Sequence, residues 1–248
     1  MNDKCLFCYR ELGEGEFGYH KECAARMFGK KIAPLLPYTR DNIDSLALEV
    51  LKTSASVPGV QVKLTLDINR GGRFSAPPTQ ESQCYPGELA YITRRMDRVR
   101  NGKKLSMLDM CQLTNRLTEH KYLGSYSQLA DVVRKYSAAS FLDVQRFWEI
   151  VVFSWITGNS DMHCKNFSLI ERPGIGYVLS PAYDLLSVQL TGIADPDELA
   201  MSLVGYARDE RKSLKGFDRK SFIDAMSGSG ISEKIGNKLI DRLMGCCG

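Results

Sequence analysis

Gly158-Asn159-Ser160-Asp161-Met162-His163-Cys164-Lys165-Asn166-Phe167-Ser168, followed by Pro181-Ala182-Tyr183-Asp184, decides how this chain is read. It places a carboxylate at Asp161, an amide at Asn166 and a second carboxylate at Asp184. Phosphoryl transfer from Mg-ATP needs that set of groups: one Asp to accept the substrate hydroxyl's proton, an Asn and a second Asp to hold metal. The apolar run Phe147 to Ile156 predicts a buried helix whose end at Gly158 delivers the polar loop to the edge of the core. Asp161 is then the candidate general base. His163 and Lys165 would brace the loop or meet phosphate, and Asn166 would give its carbonyl oxygen to a metal. The plainer alternative is a turn in which Asn and Asp satisfy local backbone groups. For Asp184, after an expected strand at Tyr177-Val178-Leu179, the plainer role is a helix cap.

Outward from this stretch, the chain predicts helices near 106–118, 125–136, 143–157, 217–226 and 232–244. Upstream, Gln61 to Ile68 alternates as a half-buried strand should, and Leu89 to Thr93 reads as another. Gly71-Gly72, Pro77-Pro78 and Pro86-Gly87 interrupt the span between them. The expected fold is α+β and kinase-like in outline, with a small β-containing N-lobe at 31–98 and a mainly helical C-lobe at 99–248. A separate Cys- and Gly-rich module occupies 1–30.

In that module, Cys5-x-x-Cys8 and His20-x-x-Cys23 supply three thiols and an imidazole as two paired knuckles. Tetrahedral zinc takes that ligand set, and so short a module needs a staple to fold. Free buried cysteines, or a redox pair at Cys5 and Cys8, are the alternatives. With all four ligands assigned to structure, none is left for catalytic zinc.

Composition narrows the function classes. Of 248 residues, 33 are basic and 29 acidic, a net charge of +4 that is too mild to argue for direct nucleic-acid binding. Hydrophobic residues at 44% are ordinary for a soluble globular protein. The start, Met1 to Cys5, has no apolar h-region, and the greasiest run is too short to span a bilayer. The expectation is a cytoplasmic protein without a membrane partner, its thiols reduced or metal-bound.

The pattern G-N-S-D-M-H-C-K-N-F-S with P-A-Y-D-L-L-S resembles the signature of HipA-like serine/threonine kinases, the toxins of bacterial toxin–antitoxin systems. The likeness extends through Ser56 to Lys63, Ile92 to Arg98, Asp109 to Leu113 and Lys121 to Tyr126. It implies Asp161 as catalytic base, with His163, Cys164, Lys165 and Asn166 around the nucleotide phosphates and magnesium. Asp184, beside Tyr183, would be the second magnesium ligand. Pro58, Gly59, Val60, Gln61, Val62 and Lys63 would form the loop over the phosphates, where Gly59 allows close backbone approach and Lys63 can neutralise charge. Arg94, Arg95 and Met96 would match the hinge that contacts adenine, and Ser54 and Ser56 are candidates for autophosphorylation. The resemblance also implies a protein substrate, such as an aminoacyl-tRNA synthetase, growth arrest as outcome and an antitoxin as partner.

One departure stands against the match. Such kinases carry a strand with a Lys before Pro that pairs with the ATP phosphates, then a helix with a partner carboxylate. Here Phe74-Ser75-Ala76-Pro77-Pro78 has Ala76 where the Lys is expected, and the span before the next strand is too short for the helix. The alternative function is therefore a catalytically impaired pseudokinase that binds nucleotide or an antitoxin-type partner.

Overall fold

The protein's structure, a computed structural model, describes residues 4–34, 67–68, 74–75, 95–99, 103–189, 197–205 and 214–246. The chain divides into two compact units, Met1–Arg94 and Arg95–Gly248.

In the first unit, α1 (Lys21–Phe28) starts at His20 and stops at Gly29, whose φ of 74° is a left-handed helix ending that glycine adopts without a Cβ penalty. The preceding residues are held by short backbone bonds, Cys5 N–H to Arg10 O, Leu6 N–H to Gly18 O and Tyr9 N–H to Cys5 O, each 2.8 Å. Further along, β1 (Asp67–Ile68) and β2 (Phe74–Ser75) pair antiparallel. The end of the predicted strand at Ile68 and the start of the Phe74 segment thus meet as two strands. The stretches 35–66, 69–73 and 76–94 lie outside the described residues, and with them Ser54, Ser56, Pro58 to Lys63, Ala76 and Arg94.

The second unit is built on β3 (Met107–Asp109), β4 (Ser168–Arg172) and β5 (Gly176–Leu179), an antiparallel sheet with β4 in the middle. Leu169 faces Leu108 on one side and Leu179 on the other. Around the sheet lie α2 (Met110–Leu113), α3 (Tyr126–Tyr136), α4 (Ser140–Ile156), α5 (Arg219–Gly228) and α6 (Glu233–Gly245). The helix expected at 106–118 is reduced to α2. Residues 107–109 pair with β4, and Asp109 becomes the N-cap, accepting from Gln112 N–H while the Gln112 side chain accepts from Asp109 N–H. Ser125 and Gln128 make the same reciprocal pair at the start of α3.

The core forms where α3 and α4 bury their apolar faces. Tyr126, Leu129 and Val133 from α3 meet Phe147, Trp148, Val151 and Val152 from α4, all completely inaccessible. Phe167 packs into this group, its ring centroid 4.7 Å from that of Phe147. Phe222, Met226, Leu239 and Ile240 extend the core onto α5 and α6. Burying a side chain of this size contributes roughly 1.5–3 kcal/mol, so α4 is fixed along most of its length and its C-terminus is a rigid platform. Among the described residues no helix is long and apolar enough to cross a membrane.

Candidate active site

The platform ends at Thr157, whose N–H bonds Phe153 O at 2.9 Å. Gly158 then turns the chain with φ 68°, and a Cβ there would sit 2.7 Å from Gln189 Cδ. Its carbonyl accepts from Val188 N–H at 2.9 Å, which ties the start of the loop to the segment beyond Asp184.

Asp161 stands at the loop's outer edge with its side chain 44% exposed. Tyr122 O–H donates to its Oδ1 at 2.6 Å, and Asn159 Oδ1 accepts from its backbone N–H at 3.3 Å. Asn166 is buried and donates Nδ2–H to the Asp161 carbonyl at 2.9 Å, which commits the nitrogen and leaves Oδ1 as the acceptor end. This one bond fixes the amide relative to the Asp161 backbone five residues earlier.

His163 lies beneath, its Nε2 4.0 Å from Asp161 Oδ1 and its ring edge-on to Tyr122 at 5.1 Å. Burial, then repulsion from Lys121, holds its pKa below the usual imidazole value, so the ring is neutral at physiological pH. Among the described residues, His163 Nδ1 and Asn159 Nδ2 are buried polar side-chain atoms with no partner. A loop carrying such orphans is suited to a ligand with hydrogen-bonding groups.

Tyr183 and Asp184 reach the same place from the end of β5. Tyr183 O–H donates to Lys165 O at 2.7 Å and lies 2.5 Å from Ser168 Oγ; burial pushes its phenol pKa up. Asp184 adopts φ 56°, a left-handed conformation uncommon outside glycine, and its charge acts on both His163 and Tyr183. Strain of this kind persists where surrounding contacts over-determine the backbone. Asp143 aligns the two arms: it is fully buried near the start of α4 and accepts from Leu179 N–H at 2.7 Å and Ser137 Oγ–H at 2.6 Å.

Two residues of the motif face elsewhere. The Cys164 side chain is completely buried, its sulfur 3.4 Å from Arg116 Nη1 and 3.5 Å from Met201 Sδ, and burial raises its pKa to about 11. A thiol held protonated in the core is no nucleophile. Lys165 Nζ donates to Asp109 Oδ2 at 2.9 Å, fastening the loop to the end of β3. In the 95–99 segment, Arg95 grips the buried carboxylate of Asp97 with two bonds, Nε at 2.8 Å and Nη2 at 2.6 Å, with Met96 half-buried between them.

Tyr122, Asp109 and Ser168 lie within stretches that carry the motif or the family likeness but have no role assigned by sequence, and Asp143 lies outside those stretches. The partners of Tyr122, Asp109, Asp143 and Ser168 lie 39, 56, 36 and 15 residues away along the chain, so no local pattern announces these contacts.

In the first unit, the predicted quartet does converge: the ligand atoms of Cys5, Cys8, His20 and Cys23 all lie within 4.8 Å of one another. Burial opposes ionisation of Cys5, but N–H groups of Cys8, His20 and Phe7 directed at its sulfur bring it down to about 6. The Glu11 carbonyl raises His20 to about 9, and burial raises Cys23 to about 11.

Comparison with known proteins places these features. The model of the HipA-like C-terminal domain matches residues 73–246, more than half of the chain. A Sinorhizobium fredii protein that carries a kinase name, Y4dM, is 39% identical over 153 residues, 60% of this chain and 35% of its own length. A Haemophilus influenzae protein with a kinase name is 23% identical over 167 residues, 64% of this chain and 48% of its own. The chain therefore spans about a third to a half of these relatives' length. Among solved structures, the Shewanella oneidensis toxin–antitoxin complex of HipA, HipB and operator DNA aligns with a TM-score of 0.57 at 19% identity. That alignment covers 85% of this chain and 63% of the other, and it shows likeness of fold.

Proposed function

Because the chain belongs to the HipA-like C-terminal domain family of kinase-like proteins, we propose that it transfers the γ-phosphate of ATP to a serine or threonine hydroxyl of a protein. The observation that supports this reading is the bond from Asn166 Nδ2 to the Asp161 main-chain carbonyl, which ties the amide into the loop that presents Asp161 at the end of a rigid helix, while Tyr183 bonds the same loop at the Lys165 carbonyl.

Asp161 accepts the proton that the substrate oxygen loses as it attacks phosphorus, and with Oδ1 bonded to Tyr122, Oδ2 is the free acceptor. Magnesium fits the donor set: Asn166 Oδ1 and the Asp184 carboxylate are hard oxygen ligands, and the amide's nitrogen is already committed elsewhere. When bound, magnesium neutralises charge building on the phosphate oxygens. His163, neutral and buried, offers a ring nitrogen to the nucleotide. Lys165, Tyr183 and Asp143 act as positioning residues, and Cys164 serves as packing. Arg94, Arg95 and Met96 as adenine hinge, Pro58 to Lys63 as phosphate cover, and Ser54 or Ser56 as autophosphorylation sites complete the proposal. By family analogy the reaction arrests growth, the partner is an antitoxin-type protein, and the setting is the cytoplasm.

A second reading has one observation in its favour. Ala76, where a phosphate-pairing Lys is expected, directly follows β2. Loss of that charge removes electrostatic stabilisation worth several kcal/mol, which favours a nucleotide- or antitoxin-binding pseudokinase. Labelled Mg-ATP decides between them, with Asp161→Asn as control. Label on the natural chain alone supports the kinase. No label, together with a melting-temperature rise that needs both nucleotide and Mg²⁺ and disappears in Asp184→Asn, supports the pseudokinase. A rise independent of Mg²⁺, or none, refutes the metal assignment.

A further inference from the structure

Independently of the kinase reading, we propose that Cys5, Cys8, His20 and Cys23 hold one structural zinc ion, and that folding of residues 4–29 depends on it.

The distances match the metal's geometry. Zn–S bonds of about 2.3 Å and a Zn–N bond of about 2.0–2.1 Å in a tetrahedron put sulfur and nitrogen about 3.6 Å apart. His20 Nδ1 lies 3.4 Å from Cys8 Sγ and 3.7 Å from Cys23 Sγ. The ring's other nitrogen, Nε2, lies 2.8 Å from the Glu11 carbonyl. A carbonyl can only accept, so Nε2 carries a hydrogen, and Nδ1 is the nitrogen that faces the thiols and would lose any proton of its own to a metal. Zinc-bound imidazoles are held by such an outer hydrogen bond. The thiols are free, and Cys5 lies at the centre, completely buried.

The local backbone is bent to serve the cluster. Tyr9, directly after the second thiol of the first knuckle, takes φ 59° and donates its N–H to Cys5 O at 2.8 Å. A non-glycine residue there costs of order 1 kcal/mol or more. Little else in the module can offset it. Within 4–34 the buried hydrophobic residues are Cys5 and Ala24 alone, while Phe17 is 83% and Tyr9 74% exposed. Two small side chains make no core, and a segment of this size then needs a disulfide or a metal.

The ligand chemistry selects the ion. Three thiolates and one imidazole form a soft tetrahedral set that suits zinc and leaves no open position, so the site is structural rather than catalytic. On binding, the thiols that are protonated release their protons to solvent, and the completed site carries a net charge of −1 from three thiolates and one Zn²⁺.

The test uses the full chain, purified without an affinity tag that binds metal. Elemental analysis is expected to give one zinc per chain, and Co²⁺ substitution should give tetrahedral ligand-field bands with thiolate-to-cobalt charge transfer. Removal of zinc by a chelator should collapse the dispersed NMR amide signals of residues 4–29, and zinc alone should restore them. Tryptophan fluorescence, which reports only on α4, should stay unchanged. Cys8→Ser and Cys23→Ser should each lose the metal at chelator concentrations the natural chain withstands, whereas Asp161→Asn should retain it. A metal-free chain with dispersed signals for 4–29, bound iron instead of zinc, a Cys5–Cys8 disulfide in reduced buffer, or zinc retained equally by both Ser variants would overturn the proposal. None of these results bears on phosphoryl transfer, which the Asp161→Asn comparison reports separately.

Discussion

Replacing Asp143 with Ala should destabilise the second unit by about 3–5 kcal/mol and separate the two arms of the site. The carboxylate is completely buried and accepts two short bonds, from Leu179 N–H at 2.7 Å and Ser137 Oγ–H at 2.6 Å. Hydrogen bonds to a charged group are each worth about 1.5–3 kcal/mol, and an orphaned buried N–H costs about 1–3 kcal/mol. Ser137 is half-buried and can turn to water, so most of the loss falls on Leu179. Arg146, 3.5 Å away and 57% exposed, adds little. The assay is urea unfolding followed by fluorescence. Both tryptophans, Trp148 and Trp155, sit on α4, so the signal reports this unit alone. With m near 2 kcal/mol/M, the midpoint should fall by about 2 M. Both donors meet Oδ2, so Asp143→Asn can keep both bonds through its amide oxygen and, losing only the charge, should cost about 1–2 kcal/mol. A loss below 1 kcal/mol in the Ala variant, or equal losses in both, would refute the argument that this carboxylate anchors β5 to α4.

Gly158→Ala forces a Cβ into φ 68°; Gln189 can swing aside, so the residual penalty is backbone strain of about 1–2 kcal/mol, measurable by the same unfolding assay. His163 makes stability fall in acid: its native pKa is lowered, so the unfolded chain binds the proton first. Stability is then lost from about pH 6.5 down to the native value, and His163→Gln should flatten that limb of a stability–pH curve. The ring faces Asp161, Asp184, Lys121 and Tyr122, and the first two oppose the shift. Tyr122→Phe frees Asp161 Oδ1, and kcat should drop about tenfold, near 1.4 kcal/mol, with nucleotide affinity unchanged; a matching rise in KM would show that Tyr122 serves binding instead. Asp184→Gly relieves a positive φ but frees the unfolded chain, so stability should stay within about 1 kcal/mol while the Mg²⁺-dependent thermal shift vanishes.

Much of the helical framework was legible because its signals are local. The expected helices at 125–136 and 232–244 are observed at Tyr126–Tyr136 and Glu233–Gly245, where Ser125 caps one start and Ser232 precedes the other. The helix expected at 143–157 begins earlier, at Ser140, because Asp143 points inward to β5 rather than marking a start. The failure at 106–118 has a different cause. Met107 pairs with Ile170, 63 residues later, and no window of local periodicity contains that partner. For the same reason β4 is not predicted: the motif closes at Ser168, and the β3 partners of Leu169 and Ile170 lie far back in the chain. The candidate site divides likewise. Spacing marked Asp161, Asn166 and Asp184 as chemistry and joined Cys5, Cys8, His20 and Cys23. The bonds that aim them, from Tyr122, Asp109 and Asp143, arise only after distant segments fold together.

The bond from Val188 N–H to the Gly158 carbonyl closes residues 158–188 into a ring. Asp161 and Asp184 lie near the clasp, and the turn between β4 and β5 forms the opposite end. There Ile175 is 65% exposed, and a Cβ on Gly174 would meet nothing within 4 Å. Extra residues at that turn lengthen the ring away from its clasp and bulge into solvent without moving either acid. Exposed turns tolerate insertion well, so this hairpin can vary in length between relatives, or carry a grafted peptide, while the two acids at the clasp keep their spacing.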